Sequence, residues 1–82
     1  MRSDVAIYIV DDDEAIRDSL NLLMESVGLN ATCFASAHAF LDGYDASKPG
    51  CLILDVRMPD ISGLDLQRIL NERQIQIPCL LY

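Results

Sequence analysis

Two short, unbroken apolar runs that each end in aspartate constrain the fold more than any other feature of the sequence. The first run, Val-Ala-Ile-Tyr-Ile-Val at 5–10, is followed by three aspartates at 11–13. The second run, Cys-Leu-Ile-Leu at 51–54, is followed by Asp55. Apolar runs of this length without polar alternation are typical of strands buried on both faces of a parallel sheet. Such a sheet needs helices on both faces, so an α/β protein is predicted.

Three further segments carry apolar residues at the spacing of an amphipathic helix. The first helix is predicted to begin with Asp12 or Asp13 as its N-cap and to end at Gly28, which suits the C′ position. The second and third begin with Ser36 and Ser62 as N-caps. The apolar faces of the three helices are Ile16, Leu20, Leu23, Met24 and Val27, then Ala37, Phe40, Leu41 and Tyr44, then Leu66, Ile69 and Leu70.

Two weaker apolar runs complete an alternation of strand and helix. Residues 30–34 and 78–82 are predicted as strands, and the turn-rich segment 45–50 as a loop. The order strand–helix–strand–helix–strand–helix–strand predicts a doubly wound parallel sheet with right-handed crossovers. We expect residues 1–82 to form a single domain.

Charge and hydropathy narrow the partners that the chain can have. Six Lys and Arg against 13 Asp and Glu give a formal net charge of −7, which repels the phosphate backbone of nucleic acids. No apolar run approaches the roughly 20 residues of a membrane-spanning helix. The apolar run at 5–10 is too short for a signal peptide. We therefore expect a cytoplasmic chain with no membrane partner.

The three cysteines and the single histidine form no metal-binding or disulfide pattern. Cys33, Cys51 and Cys79 lie in apolar stretches without C-x-x-C spacing, so they are predicted to be small buried hydrophobic residues. His38 has no Cys or His close to it in sequence, and it is predicted to be an exposed helix residue.

The aspartates that follow the two apolar runs form the candidate site. Because the carboxyl ends of parallel strands share one edge of the sheet, Asp11, Asp12 and Asp55 converge there if the two strands are neighbours. The alternative is that they serve as helix caps and as a turn residue, but capping accounts for only one acid of the first group. Carboxylates brought together need a cation to offset their repulsion, and oxygen ligands favour Mg²⁺ or Mn²⁺.

Ile-Val-Asp-Asp-Asp-Glu at 9–14 and Leu-Asp-Val-Arg-Met-Pro-Asp-Ile-Ser-Gly at 54–63 resemble the motifs of the receiver domain of two-component response regulators. Gly28, Phe34 and the strand led by Pro78 also fit, and the resemblance covers the whole chain. The sequences of the two motifs are most similar to those of receivers attached to LuxR-type helix-turn-helix output domains. The resemblance implies a flavodoxin-like, CheY-like parallel sheet.

The resemblance also implies a role for each matching residue. Asp55 matches the phosphoacceptor, and Asp11 and Asp12 match the acidic pair of the metal site. Of the pair, Asp12 is the residue expected to contact the metal directly. Arg57 matches the position whose backbone carbonyl coordinates the metal. Two positions that shape the loop after the phosphoacceptor match as well, Pro59 and Gly63. By this resemblance a sensor histidine kinase phosphorylates Asp55 in the presence of Mg²⁺ or Mn²⁺, so the chain is not a turnover enzyme.

The sequence departs from the family at its C-terminal end. Receivers carry Ser or Thr at the end of the fourth strand and Lys at the end of the fifth, and the hydroxyl would fall directly after Tyr82. Lys48, the only lysine, lies before the third apolar strand and is no substitute. We therefore expect a truncated receiver, with an incomplete sheet, impaired phosphorylation, and DNA contact only through an output domain outside these residues. Its uncovered apolar surfaces, at the fourth strand or on the bare sheet face, predict a homodimer.

Two other interpretations stay open at this stage. A receiver-like interaction or dimerisation module would keep the shape without being phosphorylated. A haloacid-dehalogenase-type phosphatase also places Asp-x-Asp at a strand end, and Asp11 and Asp13 fit that pattern. However, Ala15 stands where that family has Thr or Val, and the motif around Asp55 goes unexplained. A phosphoryl analogue would mark Asp55 in a receiver and Asp11 in such a phosphatase.

Overall fold

Strands and helices alternate through the computed structural model, which describes residues 6–44, 50–59 and 61–82. The elements are β1 (Ala6–Val10), α1 (Glu14–Ser26), β2 (Ala31–Phe34), α2 (Ala37–Gly43), β3 (Gly50–Leu54), α3 (Gly63–Glu72) and β4 (Cys79–Leu81). Every predicted strand and helix is therefore present. The predictions for Val5 and for loop residues 45–49 lie outside the described residues, as does Asp60. The prediction that Gly50 belongs to that loop is wrong, because Gly50 pairs with Ala6 as the first residue of β3.

The four strands pair in parallel in the order β2-β1-β3-β4, which confirms the predicted sheet. β1 lies between two neighbours, since Val10 pairs with Phe34 of β2 and with Leu54 of β3. Asp11 and Asp55, the residues that follow β1 and β3, therefore lie side by side at the carboxyl edge of the sheet.

One face of the sheet is well covered. Tyr8, at the centre of β1, packs its ring 5.6 Å from that of Phe40 in α2, in an edge-on contact. Leu66 and Leu70 of α3 are buried on the same side. The core on this face consists of Tyr8, Val10, Ala37, Phe40, Leu52, Leu54, Met58, Leu66 and Leu70. The apolar face predicted for α2 thus points into this core, as do Leu66 and Leu70 of α3, whereas Ile69 is half-buried and lies outside this cluster.

The opposite face is covered more thinly, by α1. Leu20 and Met24 pack against the smaller cluster that Ile7, Ile9 and Ile53 form. The prediction that the whole apolar stripe of α1 faces the core is wrong for its margins: Ile16, Leu23 and Val27 are exposed, the last two by 55% and 64%. A single helix contacts the sheet along a narrow strip, and no other described helix packs beside α1.

The cysteines are less buried than the sequence predicts. Cys33 and Cys51 lie half-buried on the α1 face, and Cys79 lies half-buried on β4, one of the two edge strands of the described sheet. All three are unpaired thiols. The thin cover by α1 leaves Cys33 and Cys51 partly exposed, whereas Cys79 packs against the main core but lies at an edge of the sheet. His38 is exposed, as predicted.

Polar side chains fix the starts of the helices. Asp13, Ser36 and Ser62 each accept a hydrogen bond from a first-turn backbone N–H, at 2.9, 3.1 and 3.1 Å. Gly28 adopts φ +81° just after α1 and donates its N–H to the carbonyl of Glu25 at 3.1 Å, as a C′ glycine does. In the described part of the chain, no helix has both the length and the apolar character to cross a bilayer.

Candidate functional site

Three carboxylates meet at the carboxyl edge of the sheet. Asp11, Asp12 and Asp55 each place one oxygen within 4.8 Å of the others. Asp11 is buried, with 1% of its surface exposed, Asp55 is half-buried and Asp12 is exposed. The cluster therefore runs from the interior to the surface.

Asp11 is held by contacts from three directions. Its Oδ1 accepts a hydrogen bond from the Asp13 N–H at 2.8 Å, and its Oδ2 accepts one from the Tyr82 hydroxyl. Its backbone carbonyl accepts a hydrogen bond from Nη1 of Arg17 at 2.7 Å, from one turn into α1. A buried carboxylate is stable only when it is paired or hydrogen-bonded, and these contacts supply that.

Asp55 is fixed by the turn that follows β3. Its backbone N–H donates to the carbonyl of Val10 at 3.0 Å, which joins the ends of β1 and β3. Its Oδ1 accepts a hydrogen bond from the backbone N–H of Arg57 at 2.9 Å. The main chain of Arg57 thus lies beside the cluster, while the residue as a whole is exposed. These two contacts orient the Asp55 carboxylate towards the acids of β1.

Gly63 brings the start of α3 against this turn. A Cβ on Gly63 would lie 2.8 Å from the carbonyl oxygen of Asp55 and 3.0 Å from Cα of Val56. The Gly63 N–H also donates to the Val56 carbonyl at 3.1 Å. Within the loop that α3 closes, Met58 is buried and Pro59 is exposed. The absence of a side chain at Gly63 is what permits this close approach.

Tyr82 belongs to the site, which the sequence analysis did not predict. Its N–H donates to the Leu54 carbonyl at 3.2 Å, and its own carbonyl accepts from Val56 at 3.1 Å, so it sits beside the end of β3. Partial burial, the hydrogen bond to Asp11 and the charges of the three carboxylates all raise the pKa of its phenol. The available signal was its position: it follows a strand at the same edge as the aspartates.

The donor set matches a hard divalent cation. All three candidate ligands are carboxylate oxygens, which Mg²⁺ and Mn²⁺ prefer over softer metals. Ligands around Mg²⁺ lie at most about 4.2 Å apart, twice the metal–oxygen distance. The separations of up to 4.8 Å therefore need only a small inward rotation of the side chains. The acidic cluster can bind a metal.

Comparisons with known proteins agree with this geometry. The family model of the response regulator receiver domain matches residues 7–82. Response regulator protein TodT of Pseudomonas putida is 54% identical over 74 residues, which cover 90% of this chain and 33% of TodT. Transcriptional regulatory protein FixJ of Bradyrhizobium diazoefficiens is 44% identical over 75 residues, which cover 92% of this chain and 37% of FixJ.

Solved structures show the same fold. Response regulator StyR superposes with a TM-score of 0.92 at 35% identity, over 96% of this chain and 40% of that one. The structure of FixJ-N superposes with a TM-score of 0.87 at 38% identity, over 96% of this chain and 63% of that one. The chain spans about a third of the length of the curated relatives that it matches.

Proposed function

Since this chain belongs to the response regulator receiver domains of two-component systems, we propose that it accepts a phosphoryl group from a sensor histidine kinase on Asp55. The observation that carries the proposal is the meeting of Asp55 with Asp11 and Asp12 at the carboxyl edge of the sheet. Catalytic groups of open α/β sheets occupy this edge. If the three aspartates served only as helix caps or turn residues, their carboxylates would have no need to lie together.

Asp55 is the nucleophile in this proposal. One of its carboxylate oxygens attacks the phosphorus of a phosphohistidine, the N–P bond breaks, and an acyl phosphate forms. Half-burial leaves the side chain reachable from outside, while the Arg57 N–H fixes the plane of the carboxylate. The chain is modified once and does not turn over substrate.

Asp11, Asp12, Asp55 and the backbone carbonyl of Arg57 would hold Mg²⁺ or Mn²⁺. When bound, the cation offsets the repulsion of the carboxylates and stabilises the charge on the incoming phosphoryl oxygens. Asp12 is exposed at the mouth of the cluster, and buried Asp11 forms its floor. The buried acid therefore anchors the site, and the exposed one meets the solvent from which the metal enters.

The output of the parent protein is, in this proposal, transcriptional. FixJ is a transcriptional regulatory protein, and the match to this chain covers 37% of it. We assign DNA binding to a domain outside these 82 residues, because the net charge of −7 disfavours contact with phosphates. The setting that fits a kinase donor and a transcriptional output is the cytoplasm.

We also propose that the 82-residue chain forms a homodimer. Leu80, on the edge strand β4, is 60% exposed, and Leu23 and Val27 are exposed on α1. Apolar side chains beside the unpaired backbone of an edge strand favour association with a second copy. Such a dimer buries the two surfaces that the described fold covers least.

Phosphorylation from a small-molecule donor tests the proposal. Acetyl phosphate with Mg²⁺ should add a single phosphoryl group to the chain slowly, as measured by intact-mass spectrometry over time. Asp55→Asn should abolish the adduct, and Asp42→Asn, an exposed aspartate on α2, should leave it unchanged. A folded wild-type chain that stays unmodified would favour the unphosphorylated interaction module instead.

A further inference from the structure

Tyr82 joins the last described strand to the buried acid of the cluster, across 71 positions of sequence. Its hydroxyl donates to Oδ2 of Asp11, while the Asp13 N–H donates to Oδ1. Both carboxylate oxygens of Asp11 are thus engaged by hydrogen-bond donors. An oxygen that binds a cation has less electron density to offer a donor, so a ligand role for Asp11 competes with these contacts.

The two contacts of Asp11 differ in how easily they can be broken. The N–H of Asp13 belongs to the backbone at the start of α1 and is fixed by the helix that Asp13 caps. The phenol of Tyr82 is a side chain with 47% of the residue exposed, so it can rotate into solvent without repacking the core. The Tyr82 contact is therefore the one that yields.

The backbone of Tyr82 stays in place when its side chain moves. Its N–H donates to Leu54 at 3.2 Å, and its carbonyl accepts from Val56 at 3.1 Å. Both bonds anchor the residue to the end of β3 and its turn. Release of the phenol from Asp11 therefore requires only rotation of the side chain.

We infer that the Tyr82 hydroxyl holds the Asp11 carboxylate in the cation-free site, and that a divalent cation bound to the cluster displaces it and releases the phenol into solvent. The inference rests on the proposed metal site. It assigns two roles to Tyr82. Its hydroxyl opposes cation binding, and the position of its side chain depends on whether the site holds a cation.

Calorimetric titration with Mg²⁺ alone tests the competition. Tyr82→Phe should bind Mg²⁺ about tenfold more tightly than the wild type, because a hydrogen bond to a charged acceptor no longer has to be broken. Tyr44→Phe is the matched control, since Tyr44 follows α2 and packs on Phe40 in the aromatic core. It should bind Mg²⁺ as the wild type does. Unchanged or weaker binding by Tyr82→Phe overturns the inference and leaves the metal site standing.

A second measurement on the wild type covers the case in which Tyr82→Phe fails to fold. Addition of Mg²⁺ should shift the aromatic ring resonances of Tyr82 towards those of a solvent-exposed tyrosine, with little change at Tyr8 and Tyr44. Tyr82 signals that do not respond while Mg²⁺ binds contradict the release. A wild type that binds no Mg²⁺ overturns the proposed metal site and the inference with it.

Discussion

The backbone N–H of Asp55 donates to the carbonyl of Val10 at 3.0 Å, which ties the end of β3 to the end of β1. This bond continues the parallel ladder in which Val10 pairs with Leu54, and that register brings Asp55 beside Asp11 and Asp12. A slip of one residue between the two strands would turn every side chain of the slipped strand to the opposite face of the sheet. The apolar residues of both strands are buried, so the register is strongly specified and the acidic site with it.

Metal binding is expected to depend on the three carboxylates and not on acidity in general. Asp12→Ala and Asp55→Asn should each weaken Mg²⁺ binding at least about tenfold, because each removes a candidate ligand. Asp18→Ala, an exposed aspartate on α1, should change it little. The shift in thermal midpoint on adding Mg²⁺ measures the affinities. Equal losses of Mg²⁺ affinity in all three variants would show that the ion responds to the overall negative charge of the chain and not to a defined site.

Gly63→Ala is expected to destabilise the fold by about 1–3 kcal/mol, since the new methyl group would lie 2.8 Å from the Asp55 carbonyl oxygen. Either α3 or the turn after β3 must then shift. Urea unfolding measures the change. Leu64→Ala, one position further along α3 and exposed, serves as the control and should cost far less. A Gly63→Ala variant as stable as the wild type would show that this contact accommodates a methyl group without cost.

Much of this arrangement follows from local sequence. Asp11 and Asp55 each follow a buried apolar run that predicts a strand. Because parallel strands end at the same edge of a sheet, these positions predicted that the two aspartates lie close together. Tyr82 was not predictable in this way, since its reach to Asp11 depends on where β4 docks. The exposure of Leu23 and Val27 was missed for a related reason. A helical stripe shows which side of a helix is apolar, but not how much of it a neighbour covers.

Gln74→Gly is expected to stabilise the chain by about 0.5–1 kcal/mol. Gln74 follows α3 with φ 58°, a left-handed conformation that costs a residue with a Cβ more than it costs glycine. Its N–H donates to Asn71 at 3.0 Å, and that of Ile75 donates to Leu70 at 2.9 Å, as in a helix-terminating motif. Thermal unfolding provides the measurement.

The matched control for that variant is Arg73→Gly, one residue earlier, where φ is −87°. Glycine gains nothing at a negative φ and adds freedom to the unfolded chain, so this variant should lower the midpoint. If both variants lower it equally, the left-handed conformation at Gln74 carries no cost.

The thiols of Cys33 and Cys79 are expected to react at higher pH in the folded chain than in the unfolded one. Burial raises the pKa of both thiols, and the neutral form does not attack alkylating reagents. The pH at which iodoacetamide labelling reaches half its maximal rate should therefore fall when urea unfolds the chain. Peptide mapping assigns the rates to each cysteine. A midpoint that is equal in the two states, or lower in the folded one, would contradict the effect of burial.

Self-association of the 82-residue chain is expected to depend on β4. Light scattering across a concentration series should show a mass that rises from 9.1 kDa towards that of a dimer. Leu80→Lys should keep the chain monomeric, because lysine on an edge strand blocks strand pairing. Leu64→Lys, an exposed position of α3 on the other side of the sheet from α1, tests whether any added charge has this effect. A wild-type chain that stays monomeric at high concentration would rule the dimer out.

The most direct test of the central claim is to locate the phosphoryl group after reaction with acetyl phosphate and Mg²⁺. Borohydride reduces an aspartyl phosphate to a stable homoserine, which peptide mass spectrometry then assigns to one residue. The account predicts modification at Asp55, with Asp11 and Asp12 unmodified. Modification at Asp11 instead would contradict it and would favour the chemistry of a phosphatase with its nucleophile at the end of β1.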